Sequence, residues 1–508
     1  MPRDHRAAAR RAPADRGFPS QVPLVLDRSA LVLDGGKLLI GGDPPRVMRL
    51  SVDGCETIKT LQRMGVGEAP AAGLLARHLT DVGLMHPNPR CCVDVASRVT
   101  VVVPVFDRPV ELRRCLAALD GAASGLEVVV VDDGSRDAQT LSEICVEFQA
   151  KLIRLDHNCG PAAARNAGIE RAERELIAFV DSDCLPQEGW LDRLAGHFAD
   201  PMVAAVAPRI VGDEDNSASV AARFSAAYSP LDLAERPARV TPGSRVSYVP
   251  TAVLLVRRSA IDAGFDTTLR YGEDVDFVWR LHDAGWRVRY DPSVHVRHPE
   301  PQVLSTLLAR RFRYGTGAAP LAARHPDRLP PLVVAPWSAA LMAAGLAGKP
   351  RATATIAAAQ ILPLARGLSA IGVPAHRAAR WPLLGAGHTF LASGRAMAEL
   401  LPALLVAGAV RQNTRRASLA LLLCPPLVEW VRRKPPLDPV RWTALAIADD
   451  IAYGAGVWAG SVQARSFRSL IPRVVSRRSR SAMAQRQRRT GDCSRTANPR
   501  RSSPALRS

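Results

Sequence analysis

The stretch IAFVDSDCLP, residues 177–186, runs from an apolar segment directly into two aspartates, Asp181 and Asp183. A continuous apolar run of this kind predicts a strand buried on both faces, so that the two carboxylates lie where the chain leaves the core. Two carboxylates one residue apart cannot both face inward without a positive counter-charge. The stretch therefore predicts a cation close to Asp181 and Asp183 at the end of a buried strand.

Similar apolar segments alternate with helical segments over residues 96–300. RVTVVVPVF, LEVVVVDDGS and KLIRLDHN are each followed by a segment typical of a helix. This alternation predicts an α/β domain with a doubly wound, mostly parallel sheet, in which ligands bind at the carboxyl ends of the strands. Polar residues follow each of the first four predicted strands: Asp107 and Arg108, Asp132 and Asp133, Asn158 and Gly160, and Asp181 and Asp183.

The length of 508 residues predicts more than one domain. The predicted divisions, in chain order, are a disordered N-terminal arm (1–20), a small winged-helix-like α+β domain (21–95), the α/β domain (96–300), an Ala- and Leu-rich helical region (301–464) and a disordered basic tail (465–508). In the small domain, Asp53 is placed to cap the first helix and Gly83 to end the second.

The positive charge of the chain is concentrated at its end. Residues 465–508 contain thirteen arginines and one aspartate, and so carry +12 of the formal net charge of +19. This composition cannot bury a core, which predicts either a solvated tail or attachment to an anionic membrane face. A nucleic-acid or partner-binding protein is a distant alternative, because no face that combines basic and aromatic residues is visible outside the tail.

Export from the cell is not expected. The nine cysteines show no zinc-binding spacing, and the first twenty residues lack the apolar core of a signal peptide. Residues 329–348 form an uncharged run of spanning length, but this run is rich in Ala and Gly and contains three prolines. We expect a cytoplasmic protein at the inner face of the cell membrane, with a plain soluble helical domain as an equal alternative for residues 301–464.

The strand-end aspartates also suggest a ligand. A nucleotide diphosphate at the carboxyl edge of a sheet is negative on both phosphates, so carboxylates hold it only through a divalent cation. Mg²⁺ and Mn²⁺ prefer such oxygen ligands together with substrate phosphates. Asp181 and Asp183 are therefore predicted metal ligands, with Asp181 also directed at the donor.

Five motifs occur in a recognisable order: VTVVVPVFDR, VVVVDDGSRD, NCGPAAARNAG, AFVDSDC and YGEDVDFVWRLHDAGWRV. Together they resemble the family 2 glycosyltransferases, which have the glycosyltransferase-A fold. The resemblance covers residues 98–300 and implies a metal-dependent transfer of sugar from a UDP-sugar. The donor-binding residues that it implies are Pro104, Phe106, Arg108, Asp132, Asp133, Gly160, Arg165, Asn166 and Asp181. For two of these a purely structural alternative remains: Asp132 as a helix cap and Arg165 as a surface residue.

Asp274 in YGEDVDF matches the catalytic base of that family. An inverting transfer needs one carboxylate near the acceptor hydroxyl, on the ring face opposite the leaving diphosphate. Glu273 and Asp276 lie within one helical turn and are alternative bases.

Further candidates surround this motif. Thr251 and Glu273 are candidate acceptor contacts, and His298 is a candidate third metal ligand. A structural role is an equal alternative for His298 and for the nearby His295. Arg310, Arg311 and Arg313 are predicted either to neutralise a diphosphate or to lie on a membrane surface.

The remaining regions sharpen the resemblance. RLSVDGCETIKTL and LLARHLTDVGLMHP are similar to small domains that bind precursor peptides, with a structural cap on the next domain as the alternative. Together with RRFRYGTGAAPLA, the whole assembly resembles the glycosyltransferases of the mycofactocin system. That resemblance implies transfer of glucose from UDP-glucose to a peptide-derived redox cofactor as a β-linked oligoglucoside. The alternative is synthesis of a cell-envelope polysaccharide or glycolipid.

Overall fold

A computed structural model describes residues 10–13, 17–64, 70–90, 94–122, 125–213 and 219–475 of the chain. These residues fall into two compact units. The first unit contains the described residues between 10 and 329 together with 398–402 and 425–469, and the second contains residues 330–397, 403–424 and 470–475.

The N-terminal domain is small and combines short strands with two helices. Strands β2, β3 and β4 form an antiparallel sheet, β1 pairs with β5, and Leu61, Leu79 and Leu84 lie in a shared core. The predicted winged-helix-like α+β arrangement is confirmed. Its elements are β1 (Leu24–Leu26), β2 (Leu31–Leu33), β3 (Leu38–Gly41), β4 (Arg46–Arg49), α1 (Val52–Met64), α2 (Pro70–Asp81) and β5 (Met85–Pro87).

The ends of the two helices differ in part from the prediction. The hydroxyl of Ser51 accepts the N–H of Gly54 at 3.1 Å, so Ser51 rather than Asp53 supplies the side-chain cap of α1. Gly83 follows α2 with a φ of 73°, a conformation that glycine adopts without strain. Gly83 therefore ends α2 as expected.

The described part of the predicted N-terminal arm is ordered against the protein. The N–H of Ala12 donates to the carbonyl of Ala284 at 2.9 Å, and the indole N–H of Trp286 donates to the carbonyl of Arg10 at 2.7 Å. Phe18 is buried in the core of the N-terminal domain. This differs from a disordered arm over residues 1–20, because backbone groups and one aromatic side chain find partners there; residues 1–9 and 14–16 lie outside the described residues.

The α/β domain is organised around one large sheet with the order β10-β14-β11-β13-β9-β6-β7-β8, and β12 pairs with β14. Strands β8, β7, β6 and β9 are parallel, and β13 is antiparallel to both β9 and β11. The predicted α/β class is confirmed. The elements are β6 (Val99–Val105), α3 (Pro109–Ala122), β7 (Glu127–Asp132), α4 (Ala138–Glu147), β8 (Lys151–Arg154), α5 (Pro161–Arg171), β9 (Leu176–Val180), β10 (Leu185–Pro186), α6 (Trp190–Ala195), β11 (Val203–Gly212), α7 (Val220–Ala227), β12 (Ala238–Val240), β13 (Val253–Arg257), α8 (Glu273–Asp283) and β14 (Arg287–His298).

Both faces of this sheet are covered by apolar packing. Alternate valines of β6 belong to different core clusters, with Val101 and Val103 on one face and Val102 on the other. Helix α5 lies very close to β6, because a Cβ added at Gly168 would come within 2.2 Å of the Val102 side chain. Gly168 thus permits the close approach that fixes α5 over the strands.

The N-terminal domain is attached to the α/β domain through buried ion pairs. Arg77 of α2 makes a bidentate pair with Asp200, with N–O distances of 2.6 and 2.8 Å, and both side chains are buried. Asp81 contacts Arg287 at 2.9 Å and Arg239 at 3.2 Å. Burial opposes ionisation of Asp81, but the two arginines outweigh it and lower the pKa of this carboxyl. The two domains therefore share a fixed, charged contact within the first unit.

The chain beyond the α/β domain is mainly helical, as predicted. Helix α9 packs on α16 in the first unit, where Arg311 pairs with Asp449 at 2.8 Å. The elements are α9 (Leu304–Thr316), α10 (Ala318–Arg324), β15 (Val333–Val334), α11 (Pro336–Leu346), α12 (Pro350–Ser369), α13 (Ala375–Leu400), α14 (Pro402–Val410), α15 (Arg415–Arg433), α16 (Pro439–Gln463) and β16 (Arg473–Val474).

Part of the predicted basic tail is also structured. Strand β16 pairs in parallel with β15 in the second unit, so residues 465–475 do not behave as a disordered segment. Residues 476–508 lie outside the described residues.

Among the described residues, no individual helix combines the length and apolar character needed to cross a membrane. Helices α13 and α14 meet that requirement only as a pair, and they are bent by 104° at the break between them.

We predict that Arg77→Met destabilises the protein by about 3 kcal/mol, because it leaves the buried carboxylate of Asp200 without its partner. Lys59→Met removes an exposed pair with Glu56 in α1 and should cost less than about 1 kcal/mol. Urea unfolding followed by circular dichroism compares the two variants. Equal unfolding midpoints for Arg77→Met and the native protein would show that this contact does not hold the N-terminal domain in place.

Candidate active site

The two strand-end aspartates lie in a tight turn that follows β9. The N–H of Asp181 donates to the carbonyl of Ala252 at 2.8 Å, and the N–H of Cys184 donates to the carbonyl of Asp181 at 2.9 Å. These bonds tie the turn both to itself and to the start of β13. The positions of the Asp181 and Asp183 backbones are therefore set by the sheet.

Arg165 of α5 joins Asp181 to the beginning of α8. One guanidinium nitrogen contacts Asp181 at 2.7 Å and another contacts Glu273 at 2.9 Å. The side chain is buried and lies over the ring of Phe265 at 5.5 Å. Burial opposes the charge of Arg165, but Asp181 and Glu273 outweigh it and raise the pKa of the guanidinium. Arg165 is therefore an interior cation, which excludes the surface alternative.

Asp183 has a different pair of neighbours. Arg108 donates a hydrogen bond to one carboxylate oxygen, and Nε2 of His298 lies 3.6 Å from the other. Burial opposes ionisation of Asp183, but His298 and Arg108 outweigh it and lower the pKa of this carboxyl. The positive charge expected beside the two aspartates is thus divided between two arginines, one for each carboxylate.

Asp274 is the second residue of α8, which begins directly after Gly272, a residue with a φ of 85°. Its Oδ1 accepts the N–H of Val275 at 2.8 Å. Burial and the neighbouring charge of Glu273 raise the pKa of Asp274 to about 7. A carboxyl with this pKa can exchange a proton near neutral pH.

The two neighbouring carboxylates, Glu273 and Asp276, are engaged in ion pairs within the protein. Glu273 is buried and paired with Arg165, while Asp276 contacts His325 and Arg280, each at 2.8 Å. Burial opposes ionisation of Asp276, but His325 and Arg280 outweigh it and lower the pKa of its carboxyl. Of the three carboxylates in this turn, Asp274 is the one that makes no ion pair with any residue that the structure describes.

Asp132 and Asp133 fix the loops at the edge of the sheet. Asp132 accepts the N–H of Ser135 at 2.8 Å and a guanidinium N–H of Arg154 at 2.5 Å. Asp133 accepts the N–H groups of Cys159 and Gly160 at 2.7 and 2.8 Å. Both carboxylates therefore hold the loops at this edge of the sheet through backbone contacts.

The side-chain cap of α4 comes from a different residue. The carboxylate of Asp137 accepts the N–H of Thr140 at 3.1 Å. The alternative of Asp132 as a helix cap is therefore excluded.

The other predicted donor residues differ in accessibility. Asn166 makes two hydrogen bonds of 2.8 Å with the backbone of Phe265, so its amide is used within the protein. Gly160 begins α5 with a φ of 92°. Pro104 is partly buried and Phe106 is exposed, beside the half-exposed Arg108.

Thr251, the predicted acceptor contact, is buried next to the start of β13.

Of the arginines of α9, Arg310 pairs with Glu300 at 2.6 Å and Arg311 pairs with Asp449, whereas Arg313 is exposed. Two of these three cations are therefore engaged within the protein.

Glu300 is a site residue that the motifs do not identify. Its Oε2 accepts hydrogen bonds from Ser225 at 2.5 Å and Arg310 at 2.6 Å. Its Oε1 lies 4.0 Å from Nδ1 of His298, and neither of these buried atoms has a hydrogen-bond partner within the described part of the chain. The only signal in the sequence is the short spacing in HVRHPEP, which does not show that the two side chains face each other.

Two tyrosines also lie near the base candidate and were not identified from the sequence. Burial, followed by the nearby charge of Asp274, raises the pKa of Tyr248. Burial also raises the pKa of Tyr314, with Asp274 and Glu300 adding to the effect and Arg310 opposing it. These phenols therefore remain protonated at neutral pH.

The residues present can contribute to a metal site but do not complete one. Among the described residues, no group of three or more His, Cys, Asp and Glu side chains is arranged to hold a metal ion. Asp183 and His298 offer two donor atoms 3.6 Å apart, a separation that two ligands of one cation can adopt at bond lengths of about 2.1 Å. The unpartnered Nδ1 of His298 is also suited to the hydrogen bond that metal-binding histidines make with a carboxylate. The donor set fits a cation whose other ligands come from substrate phosphates and water.

Comparison with known proteins identifies the family. Residues 100–264 match the model of glycosyl transferase family 2. The pre-mycofactocin glycosyltransferase of Mycobacterium tuberculosis is 37% identical over 474 residues, which is 90% of this chain and 98% of the relative. The chain belongs to the pre-mycofactocin glycosyltransferase family. The predicted family and the predicted glycosyltransferase activity are thereby confirmed.

Other similar proteins cover a smaller part of this glycosyltransferase. The glycosyltransferase AglE of Haloferax volcanii is 30% identical over 229 residues, or 43% of this chain and 72% of the relative. A mannosyltransferase from Pyrobaculum calidifontis, solved in complex with GDP-Man and Mn²⁺, is 22% identical, with a TM-score of 0.37. That similarity covers 66% of this chain and 87% of the mannosyltransferase.

We predict that Asp274→Asn stabilises this glycosyltransferase at pH 8 but not at pH values near 4. The pKa of Asp274 is raised from 3.8 to about 7 on folding, so its stabilising contribution is full below pH 4 and is lost as the pH rises through about 7. Asp276→Asn should instead destabilise at pH 8, because the pKa of Asp276 is lowered by its partners. Thermal unfolding at pH 4 and pH 8 checks whether each variant is more or less stable than the native protein. Equal destabilisation by the two variants at pH 8 would contradict the raised pKa of Asp274.

Proposed function

We propose that the enzyme transfers glucose from UDP-glucose to the peptide-derived acceptor of the mycofactocin pathway, with inversion at the anomeric carbon and Asp274 as the base. Repeated transfer would build a β-linked oligoglucoside. One observation carries the proposal: Asp274, which has a pKa raised to about 7 and no ion pair with a described residue, directly follows Glu273, and Arg165 joins Glu273 to the strand-end Asp181. The family relationship supports the choice of acceptor.

The donor would lie along the carboxyl edge of the parallel strands. Phe106 is exposed and partly buried Pro104 lies beside it, which suits packing against the uracil ring, and the loops fixed by Asp132 and Asp133 enclose the ribose. Arg108 is half exposed, so its guanidinium can turn from Asp183 towards a phosphate. These three contacts would bind the nucleotide without moving the sheet.

Asp183 and His298 would hold a divalent cation, Mg²⁺ or Mn²⁺, and Asp181 would lie beside it. When bound, the cation neutralises charge on the leaving diphosphate. Glu300 would accept the Nδ1 hydrogen of His298, which directs Nε2 towards Asp183. Ser225 and Arg310 hold the other oxygen of Glu300 and so keep its carboxylate in place.

Asp274 would remove the proton of the acceptor hydroxyl as that oxygen forms its bond to the anomeric carbon. The bond from the anomeric carbon to the diphosphate oxygen breaks in the same step, and UDP leaves with that electron pair. Oδ1 of Asp274 already accepts the N–H of Val275, so Oδ2 is the oxygen that receives the proton. No covalent intermediate is required, because one carboxylate and one leaving group suffice for inversion.

The N-terminal domain would bind the peptide part of the acceptor or its precursor. Strands β2 and β4 each pair with β3 on one side only, and Val32 and Val47 are among the exposed apolar residues. An extended peptide can add to such an edge by main-chain hydrogen bonds. Because α2 is attached by buried ion pairs, point changes in β4 test this role better than removal of the domain.

We predict that Asp274→Asn lowers kcat by about 10² to 10⁴ with pre-mycofactocin and UDP-glucose, while UDP binding stays unchanged. The acid limb of the native kcat/KM profile should fall below about pH 7 and should be absent from the variant. UDP release and the glycosylated product, measured by mass spectrometry across a panel of UDP- and GDP-sugars, check both the base and the donor. Near-native turnover by Asp274→Asn would show that Asp274 is not the base. Faster transfer from another nucleotide sugar would show that UDP-glucose is not the preferred donor.

We predict that Asp183→Asn abolishes the binding of Mn²⁺ in the presence of UDP, because it weakens a metal ligand. Glu300→Gln should weaken Mn²⁺ binding by about 10- to 100-fold, as expected of a residue that orients a metal-binding histidine. Asp120→Asn, on the exposed face of α3, serves as the control and should bind normally. Electron paramagnetic resonance of free Mn²⁺ measures these affinities, and native binding by Asp183→Asn would contradict the metal assignment.

A further inference from the structure

Helix α14 presents an apolar face to solvent. Leu404, Val406 and Val410 are 58%, 60% and 80% exposed, and Ala403 and Ala407 are also exposed. Their spacing of three and four residues places them along one side of the helix. The opposite side is anchored by Leu405, which is buried. An exposed apolar face of this kind is typical of an interaction surface.

A basic cluster follows this face without a break. Arg411, Arg415 and Arg416 are exposed, and none of them makes an ion pair with a described carboxylate. The N–H of Arg415 donates to the carbonyl of Arg411 at 2.8 Å, and the hydroxyl of Thr414 donates to the carbonyl of Gly408 at 2.8 Å. These bonds fix the cluster at the end of α14, within the second unit.

The segment of sequence around this face contains no acidic residues. No acidic residue occurs from residue 401 to residue 428. An apolar helix face bordered only by arginines is complementary to a surface that is apolar inside and anionic at its edge. The interface of a bilayer that contains anionic lipids has this chemistry.

We propose that α14 and the cluster Arg411, Arg415 and Arg416 dock onto the surface of an anionic lipid bilayer. The nine residues of α14 extend over about 14 Å, which is half the hydrocarbon thickness, so the helix lies in the interface and does not cross it. The apolar face enters the acyl boundary while the arginines contact lipid phosphates. This proposal does not depend on the donor, acceptor or base of the proposed reaction.

The test uses the full chain and flotation with vesicles of phosphatidylcholine, with or without phosphatidylglycerol. We expect binding only to the vesicles that contain phosphatidylglycerol, weakened by salt. The variant Arg411→Gln/Arg415→Gln/Arg416→Gln should bind roughly 100-fold more weakly, at about fivefold for each arginine. Leu404→Ser/Val410→Ser should also weaken binding, in low and in high salt alike.

A matched control separates this surface from the basic C-terminal tail. Arg477→Gln/Arg478→Gln/Arg480→Gln removes the same charge from the tail and should change vesicle binding much less than the changes beside α14. Unchanged thermal midpoints and unchanged turnover of a water-soluble acceptor would show that all three variants are folded. Loss of binding with the tail variant only would overturn the proposal. Sedimentation that shows α14-dependent self-association, without any binding to vesicles, would also overturn it.

Discussion

The buried guanidinium of Arg165 makes the contacts on which the candidate active site depends. It joins the turn after β9, through Asp181, to the first turn of α8, through Glu273. Without this shared cation, the buried carboxylate of Glu273 would carry a desolvation cost and would be repelled by the partly buried carboxylate of Asp181. Arg165 can reach both because Gly168, one turn later, lets α5 lie directly on β6. The position of the base candidate is thus linked to that of the strand-end aspartates.

The acidic residues of the site differ in whether they have an ion-pair partner, and this difference separates their proposed roles. Asp181, Asp183, Glu273 and Asp276 each have a cationic neighbour, and the lowered pKa values of Asp183 and Asp276 follow from those neighbours. Asp274 makes no ion pair with a described residue, and burial beside Glu273 raises its pKa although the nearby charge of Arg165 opposes the rise. A site in which one carboxylate is kept apart from the others can combine a negatively charged binding edge with a group that accepts a proton near neutral pH.

Much of this arrangement could be predicted from the sequence, because it depends on local patterns. Apolar runs that end in polar residues predict parallel strands whose ends meet, and YGEDVDF places an acidic cluster at the start of a helix. The partners of these residues could not be predicted, because they are set by tertiary contacts between distant segments. Arg77 and Asp200 are 123 residues apart, and nothing local pairs them. Glu300, the ordered contacts of residues 10–13 and the structural use of Asp133 were missed for the same reason.

A double-mutant cycle between Arg165 and Glu273 tests the central role of the buried guanidinium most directly. The kcat/KM values of Arg165→Met, Glu273→Gln and the double variant would be compared with that of the native enzyme. If one shared contact supports the site, the double variant should be no slower than Arg165→Met, with a coupling energy of about 1 to 3 kcal/mol. If the double variant instead lost kcat/KM by the product of the two single-variant factors, the two residues would act independently. That result would contradict the linkage of α5, β9 and α8 through Arg165.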